Sequence, residues 1–411
     1  MNCSHLRWTI AVSLLAFLVT GCGESSSDGG GGTGATAGAG GTGGTTGVGG
    51  SGGTAGSGGA AGTGGTGGQT IVISDEVASP RTLSRRFVKD AANRDAVCND
   101  GTDAAYYFDA GSGSGRGQWI IHLQGGASCG NPQACLDRAQ SSPWLTSSAS
   151  YPDTLSRNGL FAADLGLNPD FFDWNAVYIG YCSSDTWRGS KAATEEEGGF
   201  HFRGHDIIRA VLEDLQDAAD FGTDNLVNAT AVILSGTSAG GNGVKQNLDR
   251  VAEMLAWADV RGLDDSAFWS REAMGGSPLD PGKLSERAAY QGFVFDDSCA
   301  VGEPDPALCA NSMVVALNHV TTPYFVVMDQ IDLVIIGAAV DQTPERIDAI
   351  AESARVLVRD HGAGFAPRYG NHGWLADPLS YQYEIDDLSV LDSFGNWYFD
   401  RAGPALVVQE P

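Results

Sequence analysis

The stretch that decides the fold is Ala231-Val232-Ile233-Leu234-Ser235-Gly236-Thr237-Ser238-Ala239-Gly240-Gly241-Asn242-Gly243-Val244. Its apolar head, Ala231 to Leu234, reads as a buried strand, and it stops at Gly236-Thr237-Ser238-Ala239-Gly240, a G-x-S-x-G. Beyond the turn, apolar residues recur at Val244, Leu248, Val251 and Leu255, the spacing of one helix face. Strand, sharp turn and helix are the context of a nucleophile elbow. Small residues are needed there because the serine backbone is strained and its neighbours lie almost against it; Gly236, Ala239 and Gly240 meet that need. The helix N-terminus beneath Ser238 favours developing negative charge. A bare G-x-S-x-G arises by chance in a chain with 58 glycines, so the flanking strand and helix carry the reading.

Working outward toward the N-terminus, Phe202 to Leu215 has helical spacing (Ile207, Ile208, Val211, Leu212, Leu215) and leads into the nucleophile strand. Before it, Ala176-Val177-Tyr178-Ile179-Gly180 is a buried-strand pattern. It is followed by Tyr181-Cys182-Ser183-Ser184-Asp185-Thr186-Trp187-Arg188-Gly189, which suits a pocket wall or a capped loop. Tyr106-Tyr107-Phe108 and Trp119-Ile120-Ile121-His122-Leu123-Gln124 read as two further strands. The second empties into Gly125-Gly126-Ala127-Ser128-Cys129, where glycines leave backbone N–H groups unobstructed. In an α/β-hydrolase such a loop shares the oxyanion hole with the amide after the nucleophile, here Gly126 or Ala127 together with Ala239. The alternation of strands and helices predicts an α/β fold with a mostly parallel central sheet and crossover helices on both faces.

Toward the C-terminus, a serine nucleophile needs a base and a carboxylate that fixes the base's tautomer, in the chain order Ser, Asp/Glu, His. Tyr324-Phe325-Val326-Val327-Met328 is a buried strand ending at Asp329, where active sites of α/β sheets sit. Asp329 is therefore the expected acid, ahead of Asp332 in the Ile-rich segment that follows and of Asp280 beside two prolines. Only His361 and His372 follow it. His361 sits at a helix end, where it complements the dipole. His372, in Tyr369-Gly370-Asn371-His372-Gly373-Trp374, lies in a glycine-flanked loop that can lift an imidazole over the sheet and is the expected base. His122, on a strand, reads as a core residue.

Composition sets the surroundings. Met1 to Gly21 carries Arg7 and an apolar stretch from Ile10 to Val19, a secretory signal too short for a stable span. Val19-Thr20-Gly21-Cys22 resembles a bacterial lipobox, so Cys22 is the expected lipidated residue and the membrane is reached only through that anchor. Residues 22–69 are rich in Gly, Thr, Ser and Ala and read as a disordered tether, leaving 70–411 as the catalytic domain. With 24 basic and 50 acidic residues the net charge is −26, which argues against a nucleic-acid partner. Cys98, Cys129, Cys135, Cys182, Cys299 and Cys309 form an even set in an exported chain, read as disulfides. Fifteen pairings are open; short loops favour Cys129–Cys135 and Cys299–Cys309, which leaves Cys98–Cys182. No C-x-x-C or paired histidine supports zinc, so neither metal nor cofactor is expected.

Several of these segments recur together. Cys98-Asn99-Asp100-Gly101 with Tyr106-Tyr107, the Gly125-Gly126 loop with Cys129 and Cys135, Cys182-Ser183-Ser184-Asp185 with Trp187 and Gly189, and Gly236-Thr237-Ser238-Ala239-Gly240-Gly241 with Gly243 occur in this order. From about Val97 onward the chain resembles the pectin acetylesterase and Notum family of carboxylesterases. The resemblance implies an α/β-hydrolase fold, no metal, and a Ser-Asp-His triad cleaving oxygen esters; Asp329 and His372 match its positions. The chain departs from the family at Ala127, where an aromatic residue is usual, at Gln124 in place of Glu, at Gly275-Gly276-Ser277-Pro278-Leu279-Asp280, and at Tyr369, near a further cysteine of many relatives. The expectation is a monomeric cell-surface or outer-membrane lipoprotein, or a secreted esterase. It would release acetyl or short acyl groups, with an acetylated glycan as its partner. The other readings are a non-catalytic glycan- or protein-binding lipoprotein on the same scaffold, and a serine peptidase.

Overall fold

The apolar head of the quoted stretch lies at the middle of a ten-stranded sheet. The computed structural model describes residues 80–409 apart from 271, 274, 276–280, 369–371 and 373–386. The leader, Cys22 and the tether, together with Asp280 and Tyr369, lie outside the described residues. The strands are β1 (Arg81–Phe87), β2 (Ala105–Asp109), β3 (Gln118–Leu123), β4 (Thr154–Arg157), β5 (Asn175–Ile179), β6 (Ala231–Thr237), β7 (Asp259–Asp265), β8 (Tyr324–Val327), β9 (Gly364–Ala366) and β10 (Leu406–Val408). The helices are α1 (Pro132–Ser141), α2 (Gly204–Leu215), α3 (Ala218–Phe221), α4 (Ala239–Met254), α5 (Pro281–Gln291), α6 (Asp297–Gly302), α7 (Ser312–Asn318), α8 (Leu333–Gly337), α9 (Pro344–His361) and α10 (Asp387–Tyr398).

The sheet order is β10-β9-β8-β7-β6-β3-β5-β2-β1-β4. Every neighbouring pair from β10 to β5 is parallel, whereas β2, β1 and β4 add an antiparallel edge. This is an α/β-hydrolase-like sheet: crossover connections place helices on its faces, and the parallel strands are apolar on both sides. Ile120, Ile121, Val177, Ile179, Val232, Ile233 and Leu234 are all fully buried. α4 packs on β6 and β7 through Val244, Leu248 and Val251, the periodic face of the sequence. Among the described residues no helix is long and apolar enough to cross a membrane.

Three features of the fold were not settled by the sequence. β7, Asp-Val-Arg-Gly-Leu-Asp-Asp, lacks a strand-like composition, yet it is held on both sides, by β6 and by β8. Its Asp264 is accommodated by a fully buried Lys245 at 2.5 Å. Gly364-Phe365-Ala366, a short segment the sequence reading assigns to no element, forms β9. Tyr181 to Gly189, for which the sequence suits a pocket wall or a capped loop equally, is buried throughout and serves as an anchor.

Candidate active site

Ser238 lies between β6 and α4, at φ 57° and ψ −112°, the strained region for a side-chain-bearing residue. Such a conformation costs roughly 1–3 kcal/mol and persists only where neighbours over-determine it. Here its N–H donates to the Asp265 carbonyl at 2.8 Å and its carbonyl accepts from Asn242 at 3.1 Å. The glycines act through space: a Cβ at Gly240 would lie 1.9 Å from the Leu123 carbonyl oxygen, and one at Gly236 would lie 2.3 Å from that of Gly240. Side chains there would push the turn off β3. The half-buried Ser238 therefore sits at the N-terminus of α4, where peptide dipoles favour negative charge.

The glycine loop after β3 lies against this turn. A Cβ at Gly125 would come within 3.2 Å of Ser238 Cβ. Gly126 and Ala127 have φ of 141° and 55°. Their carbonyls are held from behind: Arg138 Nη2 donates to the Gly126 oxygen at 2.5 Å and Tyr181 Oη to the Ala127 oxygen at 2.9 Å. The amides of Gly126, Ala127 and Ala239 donate to no protein group among the described residues. Trp187 Nε1 donates to the Gln124 carbonyl at 3.0 Å, and the Gln124 side chain accepts from Tyr181 N–H at 3.0 Å.

Behind this anchor is Asp185, which accepts from Ser183 Oγ at 2.7 Å and from the amides of Trp187, Gly189 and Gly204 at 2.9, 3.1 and 2.7 Å. Burial outweighs these bonds and pushes its pKa up to about 6. The Cys98–Cys182 disulfide fixes the segment's start; Cys129–Cys135 and Cys299–Cys309 complete the set. Cys299 lies near Glu303 and His319, but its sulfur is consumed in a disulfide and His319 pairs with Glu303 at 2.9 Å.

His372 Nδ1 is 2.6 Å from Asp332 Oδ2. Asp332, not Asp329, is therefore the carboxylate that meets this histidine. The reason lies in the strand's exit. Hydrogen bonding to the β9 chain continues past Val327, with Met328 N–H donating to Phe365 O and Gln330 N–H to Pro367 O, both at 3.0 Å. Asp329 is thus held within the sheet's extension and fully buried. The chain turns only after Gln330, and Asp332 caps α8, its Oδ1 accepting from Val334 and Ile335 at 2.8 and 3.1 Å. That leaves Oδ2 for the imidazole. A sequence signal was present: an aspartate directly before Leu333-Val334-Ile335-Ile336 is an N-cap pattern.

With Nδ1–H donated to Asp332, the free lone pair of His372 is on Nε2, which is buried and has no hydrogen-bond partner among the described residues. Burial opposes a charge on this ring, but the Asp332 hydrogen bond and the charges of Asp332 and Asp265 outweigh it, so the His372 pKa is raised. Asp265 is the link between the two halves: it bonds the Ser238 turn and acts electrostatically on His372. Ser238 Oγ makes no hydrogen bond to His372 among the described residues; catalytic contacts are often long without substrate.

Two other histidines have structural partners. His122 stacks on Tyr178, contacts Ser235 Oγ at 2.9 Å, and is pushed down to about 3 by burial. His361, at the end of α9, donates Nε2–H to the Tyr324 carbonyl at 2.8 Å.

The strained serine at a strand–helix junction, the glycine loop against it and the strand order around them define an α/β-hydrolase-like protein. The chain belongs to the pectinacetylesterase family: the family described as Pectinacetylesterase matches residues 78–352, which include Ser238 and Asp332 and end before His372. It is similar to Palmitoleoyl-protein carboxylesterase notum1a of Danio rerio, 38% identical over 182 residues, 43% of this chain and 35% of that protein. It is also similar to Pectin acetylesterase 11 of Arabidopsis thaliana, 29% identical over 260 residues, 62% of this chain and 64% of that protein. A third relative is Palmitoleoyl-protein carboxylesterase NOTUM of Drosophila melanogaster, 29% identical over 328 residues, 74% of this chain and 47% of that protein. The matches thus span between about a third and two thirds of these relatives' length.

Proposed function

We propose that the protein is an exported serine carboxylesterase in which Ser238 is the nucleophile, His372 the base and Asp332 the carboxylate that orients it. The observation that carries this reading is the His372–Asp332 pair, in which the buried Nε2 has no hydrogen-bond partner among the described residues. His372 Nε2 takes the Ser238 proton as Oγ attacks the ester carbonyl. The Gly126, Ala127 and Ala239 amides receive the oxyanion. The protonated imidazole, stabilised by Asp332, then gives its proton to the departing alcohol. Water attacks the acyl-enzyme with the same base, releasing the acid and Ser238.

The substrate in this reading carries acetyl or short acyl groups on a carbohydrate, as the name of the Arabidopsis relative suggests. A net charge of −26 repels a polyanion, so a neutral acetylated glycan or small ester fits better than polygalacturonate. Export is supported by the three disulfides, and lipidation at Cys22 would tether the enzyme to a membrane surface. The test is hydrolysis of p-nitrophenyl esters of increasing chain length and of acetylated oligosaccharides by the full chain and by Ser238→Ala. Acetyl release by the wild type should fall by roughly 10⁴-fold or more in the variant, at unchanged thermal melting. Equal activity in both would sink the serine assignment.

A further inference from the structure

The last residue of β7 has more contacts with the nucleophile turn than the sheet requires. Asp265 stands opposite Thr237 in the parallel β6–β7 pair, so their side chains share a face. Its carbonyl accepts Ser238 N–H at 2.8 Å. Its carboxylate accepts Thr237 Oγ1 on Oδ2 at 2.8 Å and Ser266 Oγ on Oδ1 at 3.1 Å. One residue earlier, on the other face, Asp264 turns to α4: Lys245 Nζ is 2.5 Å from its Oδ2, and a Cβ at Gly241 would lie 2.2 Å from its Oδ1. The alternation of the strand thus sends one carboxylate to a buried ammonium and the other to the Thr237 hydroxyl, next to Ser238.

Resting on the hydrolase reading above, we infer that Asp265 is a positioning residue, which clamps the Ser238 turn through Thr237 and presents a second negative charge to the His372 imidazole. Asp265 is almost fully buried. A charge is useful where an imidazolium forms during reaction. Among the described residues, the ionisable groups that act on His372 are Asp332, from the cap of α8, and Asp265, from the end of β7. Asp264 is engaged by Lys245 of α4, and His361, at the end of α9, acts on Asp264.

The sign of the effect follows. His372 must be neutral to act as base, so kcat/KM falls as pH drops through its pKa. Both carboxylates favour the protonated ring, and removing either charge moves that acidic limb to lower pH.

The experiment uses the full chain and p-nitrophenyl acetate, with Asp265→Asn, Thr237→Val and the wild type compared across pH, each checked by thermal melting. Asp265→Asn should lower the plateau kcat by about tenfold with KM little changed, and should shift the acidic limb of kcat/KM to lower pH. Thr237→Val, which removes the clamp but keeps the charge, should lower kcat while leaving the limb in place. If Asp265→Asn matches the wild type in plateau and limb, the inference fails while the hydrolase reading stands. If Asp265→Asn does not fold, Thr237→Val decides: an unchanged kcat overturns the clamp. A folded wild type with no turnover of any ester overturns the hydrolase reading, and this inference falls with it.

Discussion

The serine turn and the histidine–aspartate arm meet at the same end of the sheet but are specified by different means. The turn is dictated by backbone sterics over a few residues: its path leaves no room for a side chain at 236 or 240, where carbonyl oxygens stand 2.3 and 1.9 Å from where a Cβ would be. The arm depends on residues 40 positions apart in sequence, Asp332 and His372, and on where the chain leaves β8. A site of this kind can be rigid in one half and conditional in the other. Ser238 is built into the junction of strand and helix, whereas His372 is held by a single carboxylate whose other oxygen is committed to capping α8.

The contrast can be broken from either side. The largest effect should come from Gly240→Ala, because the new methyl would overlap the backbone of β3, which cannot give way. A stability loss of about 3 kcal/mol or more is expected, seen as a large fall in melting temperature or loss of soluble protein. Next, Asp332→Asn should lower kcat by roughly 10⁴-fold at nearly unchanged melting temperature, because the wrong imidazole tautomer is then favoured. Asp329→Asn sharpens the point: its kcat, per folded molecule, should stay within about tenfold of the wild type even if stability drops. The reverse ranking of the two aspartates in a steady-state assay would move the acid back to the end of β8. Smallest is Tyr181→Phe, which frees the Ala127 carbonyl and should lower kcat by about tenfold with little change in KM. An unchanged kcat would mean that the glycine loop holds its shape without that hydroxyl.

The same contrast explains how much the sequence alone disclosed. β6, the turn and α4 were legible because apolar period, glycine placement and helix spacing all fall within one short window. β3 and β5 were legible as unbroken apolar runs, and the short cysteine spacings foretold two of the disulfides. β7 was not, since its aspartates become tolerable only beside Lys245 and Thr237, which belong to other elements. That Asp332 and not Asp329 meets His372 was hidden for a related reason. Apolar composition ends at Met328, but the hydrogen bonds to the β9 chain run on to Gln330, so the end of the apolar run misjudges where the chain turns. Asp185 read as one polar residue in a mixed loop; that it gathers three amides and a hydroxyl beneath the glycine loop is a property of the folded chain only.

The most direct test of the central claim is covalent labelling of the full-length protein with a fluorophosphonate, read by peptide mapping and by labelling rate. The account predicts one adduct, on the peptide containing Ser238, formed far more slowly in Asp332→Asn than in Asp329→Asn. A folded wild type that takes up no label, or takes it up at another residue, would contradict it.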